Sequence, residues 1–272
     1  MTIKNVSVIG VGTLGKQIAE WAALCNYKVN VFDVNQTGLR DFVKNAQIKI
    51  REKNSKGELT IHNTLSEAVS NADLIVEAVP EKLELKKEIF TMIDQAAPSH
   101  AIIATNSSSI PVSRLEDAVK RNDKVLNIHF YKILIQPMAD IARGTETSDE
   151  TFEEGLNWLT SLEITPLVVK KECLGFVFNR IWRAIKKECL QIWSGGYADK
   201  EAVDKAWKIF TGMSKGPFGL MDEVGLDVVY DIEMMYYKES GDPRDQPPQT
   251  LKEMVDKGEL GVKSGKGFYQ YE

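Results

Sequence analysis

The residues able to do chemistry fall in two places. Near the start, Gly10-Val11-Gly12-Thr13-Leu14-Gly15 sets three glycines in the pattern G-x-G-x-x-G. Glycines fall at this spacing by chance, so the setting carries the signal. The β-branched run VSVIG (6–10) precedes them and a helix-like stretch from Thr13 to Cys25 follows. The next apolar run, YKVNVFD (27–33), ends in Asp33, 18 residues beyond Gly15. A strand, a glycine turn, a helix and an acid in this order form a dinucleotide-binding unit. Gly10 permits the tight turn, Gly12 lets the backbone approach a pyrophosphate, and Gly15 lets helix and strand pack closely. Thr13 and Leu14 open the helix, whose free N–H groups favour phosphate. Asp33 can accept from both hydroxyls of an adenosine ribose and would repel a 2′-phosphate, so the expected cofactor is NAD rather than NADP. The same pattern also allows FAD, or a glycine turn with no ligand.

The second place is a histidine. Only three occur. His62 ends a short strand beside a capping box, and His100 sits in a turn; both read as structural or solvated. His129 closes the apolar run KVLNIHF (124–130), and the carboxyl end of a parallel strand is where such sheets bind ligands. An enzyme that oxidises a hydroxyl needs a group to take the O–H proton as hydride leaves carbon. Histidine titrates near neutrality and suits that task. The imidazole then becomes cationic, so a carboxylate should orient and stabilise it. Asp140, in MADIARG, is the nearest downstream acid. Thr105-Asn106-Ser107-Ser108-Ser109 follows another strand, and its hydroxyls suit either a substrate or a helix cap. A satisfied core histidine and a surface Asp140 are the plainer alternatives.

These residues need a scaffold. Short apolar runs alternate with amphipathic stretches: strands at 6–10, 27–33, 59–62, 72–79, 101–106, 124–130 and 165–170. Leu39, Phe42, Val43, Ala46 and Ile50 share one helical face, as do Leu85, Ile89, Met92, Ile93 and Ala96. Thr64 with Glu67 reads as a capping box. Alternation of this kind predicts a doubly wound, Rossmann-type parallel sheet with helices on both faces. After Lys170 the pattern turns helical. A stripe of Phe178, Ile181, Ile185, Cys189 and Ile192 opens a run of helices continuing at 199–210, 219–238 and 248–257. The expected organisation is therefore an NAD-binding α/β domain over 1–170 and a smaller all-α domain over 171–272.

Composition limits the partners. The chain has 272 residues, a net charge of −5 and 27% charged residues. Neither a basic patch nor an acidic tail suggests nucleic acid or a membrane surface. The three cysteines are scattered, without metal-ligand spacing, so no metal is expected and a reducing cytoplasm fits. The sequence shows no signal-peptide pattern at its start and no run of about 18 apolar residues.

The motifs together resemble the L-3-hydroxyacyl-CoA dehydrogenases over nearly the whole chain. GVGTLG, EAVPEKLELKKEIF, TNSSSI, His129-Phe130, GFVFNR at 175–180, GPFGLMDEVGLD at 216–227 and GVKSGKGFYQY near the end match in order and spacing. The resemblance implies a Rossmann domain followed by a helical domain that dimerises, with the active site between them. His129 would be the general base. Ser108, which precedes His129 by the family's interval of 21 residues, would touch substrate and cofactor. Asn179 would contact the acyl substrate near its reacting carbons. Glu81, Lys86 and Lys263 would border the cofactor. Plainer readings are an exposed Glu81–Lys86 pair and a helix-capping Asn179.

Three departures stand out. The family usually reads HFxNP after the histidine, whereas here Tyr131-Lys132-Ile133 follows. Lys132 therefore replaces an asparagine expected near the nicotinamide ribose. The family's histidine partner is a glutamate; Asp140 is one methylene shorter and one residue earlier, so the backbone would have to shift. Finally, the stretch from Asp33 to Glu77 is short where family members carry a helical excursion for the CoA adenine and 3′-phosphate. What remains there is basic: Lys44, Lys49, Arg51, Lys53 and Lys56. The expected reaction is hydride transfer between NAD and the 3-hydroxyl carbon of an L-3-hydroxyacyl-CoA, giving the 3-ketoacyl-CoA. A dehydrogenase of a small non-CoA 3-hydroxy acid and a non-catalytic NAD-binding homologue are the alternatives.

Overall fold

A computed structural model describes residues 3–272. The chain divides into two compact units, Met1–Val177 and Phe178–Glu272. The first unit is built on an eight-stranded sheet in the order β3-β2-β1-β4-β5-β6-β7-β8. Its strands are β1 (Asn5–Ile9), β2 (Lys28–Phe32), β3 (Glu58–Ile61), β4 (Leu74–Glu77), β5 (Ile102–Thr105), β6 (Val125–Phe130), β7 (Met138–Arg143) and β8 (Thr165–Val169). Strands β1 to β6 pair in parallel. The expected doubly wound sheet is therefore present. Helices α1 (Thr13–Leu24), α2 (Leu39–Glu52) and α5 (Asp149–Ser161) share one core with the sheet; α3 (Leu65–Val69) and α4 (Leu83–Ala96) share the other.

The end of the sheet differs from the sequence expectation. Strand β7 runs antiparallel to β6, and β8 runs parallel to β7. The sequence reading places no strand at 138–143 and no helix at 149–161. β7 escapes because Asp140 interrupts an otherwise apolar run, yet that residue is fully buried. α4 also turns differently from its apolar stripe: Lys86, Phe90 and Ile93 are buried, while Met92 is 43% exposed. The capping box at Thr64 and Glu67 is present.

Glycines at two positions let the first turn close. Gly10 has φ +92°, a region that L side chains rarely adopt. A Cβ on Gly15 would lie 2.0 Å from the carbonyl oxygen of Gly10, so the helix can approach the turn only without a side chain.

The second unit holds α6 (Phe178–Ser194), α7 (Lys200–Thr211), α8 (Pro217–Val224), α9 (Leu226–Ser240) and α10 (Gln249–Asp256). The single helix expected over 219–238 is two, broken at Gly225 with φ +101°. The expected stripe on α6 is only partly inward: Cys189 is buried, but Ile181 is 56% exposed. Two buried aspartates explain the distinctive C-terminal motifs. Asp204 accepts from the Phe218 and Gly219 N–H groups at 2.8 and 3.1 Å, capping α8. Asp222 accepts from the Phe268 and Tyr269 N–H groups and the Tyr271 hydroxyl, each at 2.9 Å. Among the described residues, no helix is long and apolar enough to cross a membrane.

Gly15→Ala should destabilise the first unit by about 1–3 kcal/mol through overpacking. Urea unfolding reads this, and an unchanged midpoint would show that the helix–turn approach is looser than the coordinates give.

Candidate active site

The carboxyl ends of the parallel strands carry two cavities of the first unit. One, of about 480 Å³, is lined by Val11, Gly12, Thr13, Lys16, Asp33 and residues of the following loop. A Cβ built on Gly12 would meet nothing within 4 Å, so this glycine opens onto free space at the start of α1. Asp33 accepts from the Val11 N–H at 2.6 Å and the Asn35 N–H at 2.8 Å, tying the glycine turn to the end of β2. An open backbone cradle, a helix N-terminus and an acid fit the pyrophosphate and adenosine ribose of NAD.

The second cavity, of about 200 Å³, is lined by Leu14, Ala78, Val79, Glu81, Lys86, Asn106, Ser108 and His129. It gathers the ends of β4, β5 and β6 beside the glycine turn. His129 and Asp140 are direct partners in the β6–β7 ladder. Imidazole Nδ1 lies 3.1 Å from Asp140 Oδ2, and Asp140 is fully buried. The expected histidine–carboxylate contact is present, because the antiparallel register sets the two residues opposite one another. The buried carboxylate fixes the tautomer: Nδ1–H donates to Asp140, leaving Nε2 as the acceptor. That nitrogen makes no hydrogen bond among the described residues. Phe176 stacks on the ring at 5.8 Å.

Glu81 organises the serine loop. It accepts from the Ser107 hydroxyl at 2.5 Å, the Ser109 hydroxyl at 2.6 Å and the Ser109 N–H at 2.9 Å. Ser108, between them, makes no hydrogen bond among the described residues and lines the cavity with His129. Asn106 Oδ1 accepts the Phe130 N–H at 2.9 Å, fastening this loop to the histidine strand.

Lys86 is 1% exposed, so it is no part of a surface pair. Its ammonium donates to Glu77 at 2.8 Å and lies 3.4 Å from Glu81. Glu77 also accepts from Thr105 at 2.8 Å and from the Val79 N–H at 2.7 Å. Burial pushes the Glu77 carboxyl up, opposed by Lys86 and those donors. Removing one partner of such a buried pair costs about 3–5 kcal/mol, so Lys86 holds the cavity wall as well as facing it. Sequence reasoning missed Glu77; the available signal was an acid set within the apolar part of the strand ADLIVEAV.

The remaining expected residues are not among those lining these two cavities. Asn179 is the second residue of α6, in the helical unit. Lys263 belongs to the same unit, where both carboxylate oxygens of Asp227 hold its ammonium at 2.5 and 2.6 Å. Lys132 is exposed. Lys44, Lys49, Arg51, Lys53 and Lys56 lie on an exposed face, where Lys49 pairs with Glu20 at 2.5 Å. His62 meets Asn30 at 3.0 Å, and the exposed His100 meets Asp73 at 3.2 Å. Among the described residues no cluster of side chains suits a metal ion.

Fold and site together define a nicotinamide-dependent dehydrogenase. Residues 5–173 match the family described as 3-hydroxyacyl-CoA dehydrogenase, NAD binding domain, and residues 175–271 match its C-terminal domain. A probable 3-hydroxybutyryl-CoA dehydrogenase of Bacillus subtilis is 32% identical, covering 100% of this chain and 99% of its own. A solved (S)-3-hydroxybutyryl-CoA dehydrogenase from Ralstonia eutropha superposes with a TM-score of 0.89 at 28% identity, over 100% of both chains. A solved diketoreductase acting on dicarbonyl compounds gives 0.87 at 32% identity, again over 100% of both. The chain belongs to the 3-hydroxyacyl-CoA dehydrogenase family, and it is an NAD-dependent oxidoreductase of that family.

Burial opposes ionisation of Glu81, but the Lys86 ammonium and the serine donors outweigh it and hold its carboxyl below the ordinary value. Stability from a depressed carboxylate is full above its unfolded value, near 4.3, and is lost as pH falls through the folded one. Glu81→Gln should therefore flatten the loss of urea midpoint on acidification below about pH 4.5, relative to the wild type. Parallel pH curves for the two proteins would remove Glu81 from this account.

Proposed function

We propose that this chain oxidises the 3-hydroxyl of an L-3-hydroxyacyl-CoA to the 3-ketone, or runs the reverse, with His129 as general base. One observation carries the assignment. The imidazole is bound through Nδ1 to a buried carboxylate, while its unpartnered ring edge lines the cavity shared with Ser108 beside the glycine turn. NAD, when bound, supplies the hydride acceptor. The chain's own residues handle the proton: the substrate O–H gives its proton to Nε2 as the C–H bond releases hydride, leaving ketone and imidazolium. Asp140 stabilises that cation, and the proton then passes to solvent. The Ser108 hydroxyl donates to the substrate oxygen, and Asn179 orients the acyl group. Glu81 and Lys86 border the nicotinamide half, while Gly10, Gly12, Thr13, Leu14, Gly15 and Asp33 hold the rest. For Lys263 to reach the cofactor, it must release Asp227.

A second reading keeps the chemistry and drops CoA. It is favoured by the short segment after Asp33, by its solvated lysines and by the likeness to a diketoreductase. We further infer a homodimer. Tyr197, Ile209 and Phe210 are 85%, 75% and 91% exposed in the helical unit, and apolar side chains displayed in this way mark an interaction surface. A cytoplasmic home accords with three free cysteines.

Turnover of 3-hydroxybutyryl-CoA well above that of free 3-hydroxybutyrate is expected; the opposite ranking selects the second reading. On the better substrate, His129→Ala should lower kcat by about 10²–10⁴-fold while leaving NADH affinity nearly intact. An unchanged kcat would remove His129 from the chemistry. Sedimentation should give twice the chain mass, and a single-chain mass would sink the dimer.

A further inference from the structure

Tyr131 has no part in the roles above, yet it reaches their centre. It follows β6 directly, two residues past His129, and is 8% exposed. Its hydroxyl donates to Asp140 Oδ2 at 2.6 Å, the same oxygen that meets His129 Nδ1 at 3.1 Å. Its ring meets the imidazole edge-on at 4.8 Å. The other carboxylate oxygen accepts the Val177 N–H at 3.3 Å. Asp140 thus has three protein donors around a fully buried carboxylate.

We propose that Tyr131 is a positioning residue that, through the shared Asp140 oxygen, sets the balance between neutral and cationic imidazole during turnover. This rests on His129 being the base. Two effects follow from the geometry. The phenol pins the carboxylate plane, so that Oδ2 is the oxygen facing Nδ1 and the acceptor ring nitrogen stays fixed. It also draws on the charge of that oxygen at the shorter distance. Less of the charge is then offered to an imidazolium than an Asp140 free of the phenol would offer. The neutral ring, the form that accepts the substrate proton, is favoured.

Other charges face the same cavity. Glu81 and Lys86 line it, and Lys86 bridges Glu81 at 3.4 Å and the buried Glu77 at 2.8 Å; this cluster is the same in the wild type and in Tyr131→Phe, so its field is common to both. Leu14, Asn106, Ser108 and Phe176 complete the surroundings and carry no charge. Asp140 meets the ring at Nδ1, and Tyr131 meets that same Asp140 oxygen.

The test is the pH dependence of kcat/KM in both directions for the wild type and Tyr131→Phe. Loss of the phenol should move the acid limb of oxidation and the basic limb of reduction upward together, by roughly half to one pH unit. Oxidation on the acid side should then fall roughly three- to tenfold, with NADH affinity within about twofold of wild type. A loss uniform across pH, with both limbs unmoved, would show that the ring only fills space and would overturn the proposal. Should Tyr131→Phe fail to fold, ring-fluorinated tyrosine incorporated at 131 keeps the fold and gives a stronger donor. Its limbs should move downward, and limbs that stay put or rise would equally overturn the proposal. His129→Gln separates this from the base assignment. If it retains turnover, the assignment itself fails; if it is inactive while the Tyr131 variants leave the limbs unmoved, only the present inference falls.

Discussion

The site depends on one register. Strand β7 returns antiparallel along β6 so that Asp140 sits across from His129, inside a sheet covered on both faces. A slip of one residue would send the carboxylate to the opposite face, because side chains alternate along a strand. The buried charge would then lack its donors, a far larger penalty than a surface ion pair could offset. The imidazole, the tyrosine and the 173–177 segment all take their places around that carboxylate. The parallel half of the sheet supplies the glycine turn, and the antiparallel return supplies the imidazole with its counter-charge.

Much of this was legible in the sequence. The glycine turn with Asp33 gave the first strand–helix–strand unit, because each residue type there answers a backbone or ligand requirement rather than a packing preference. His129 stood out at a strand end and Ser108 through the family resemblance, and both line the second cavity. What escaped was long-range. β7 was hidden because a buried aspartate looks like a surface residue until its partners are known. Glu77 was hidden for the same reason: it would be prohibitively buried alone and is ordinary when paired with Lys86. The shorter acid reaches the imidazole from the directly opposed position of the strand ladder. Tyr131 stands two residues from His129, and period-two alternation puts both on one face, a signal that could have been read.

The two units differ in how their motifs work. The N-terminal motifs of the family touch the cavities. The C-terminal ones, around Asp222 and the GKGFYQY segment, are largely a clasp: one carboxylate gathers two N–H groups and a tyrosine hydroxyl across 46 to 49 residues of chain. Their persistence in a sequence identifies the fold more securely than it identifies a substrate. That asymmetry leaves the choice between a CoA thioester and a smaller carbonyl compound open to chemistry at the rim of the site, while the hydride step stays fixed.

The convergence of the serine loop on Glu81 has a thermodynamic consequence. Fixing one backbone residue costs roughly 1–2 kcal/mol of conformational entropy, and here that ordering happens as the protein folds. The hydroxyl between Ser107 and Ser109 thus waits at the cavity in a loop already held, so an incoming molecule need not freeze that segment. The free energy of its contacts remains available for orienting the carbon that gives up hydride.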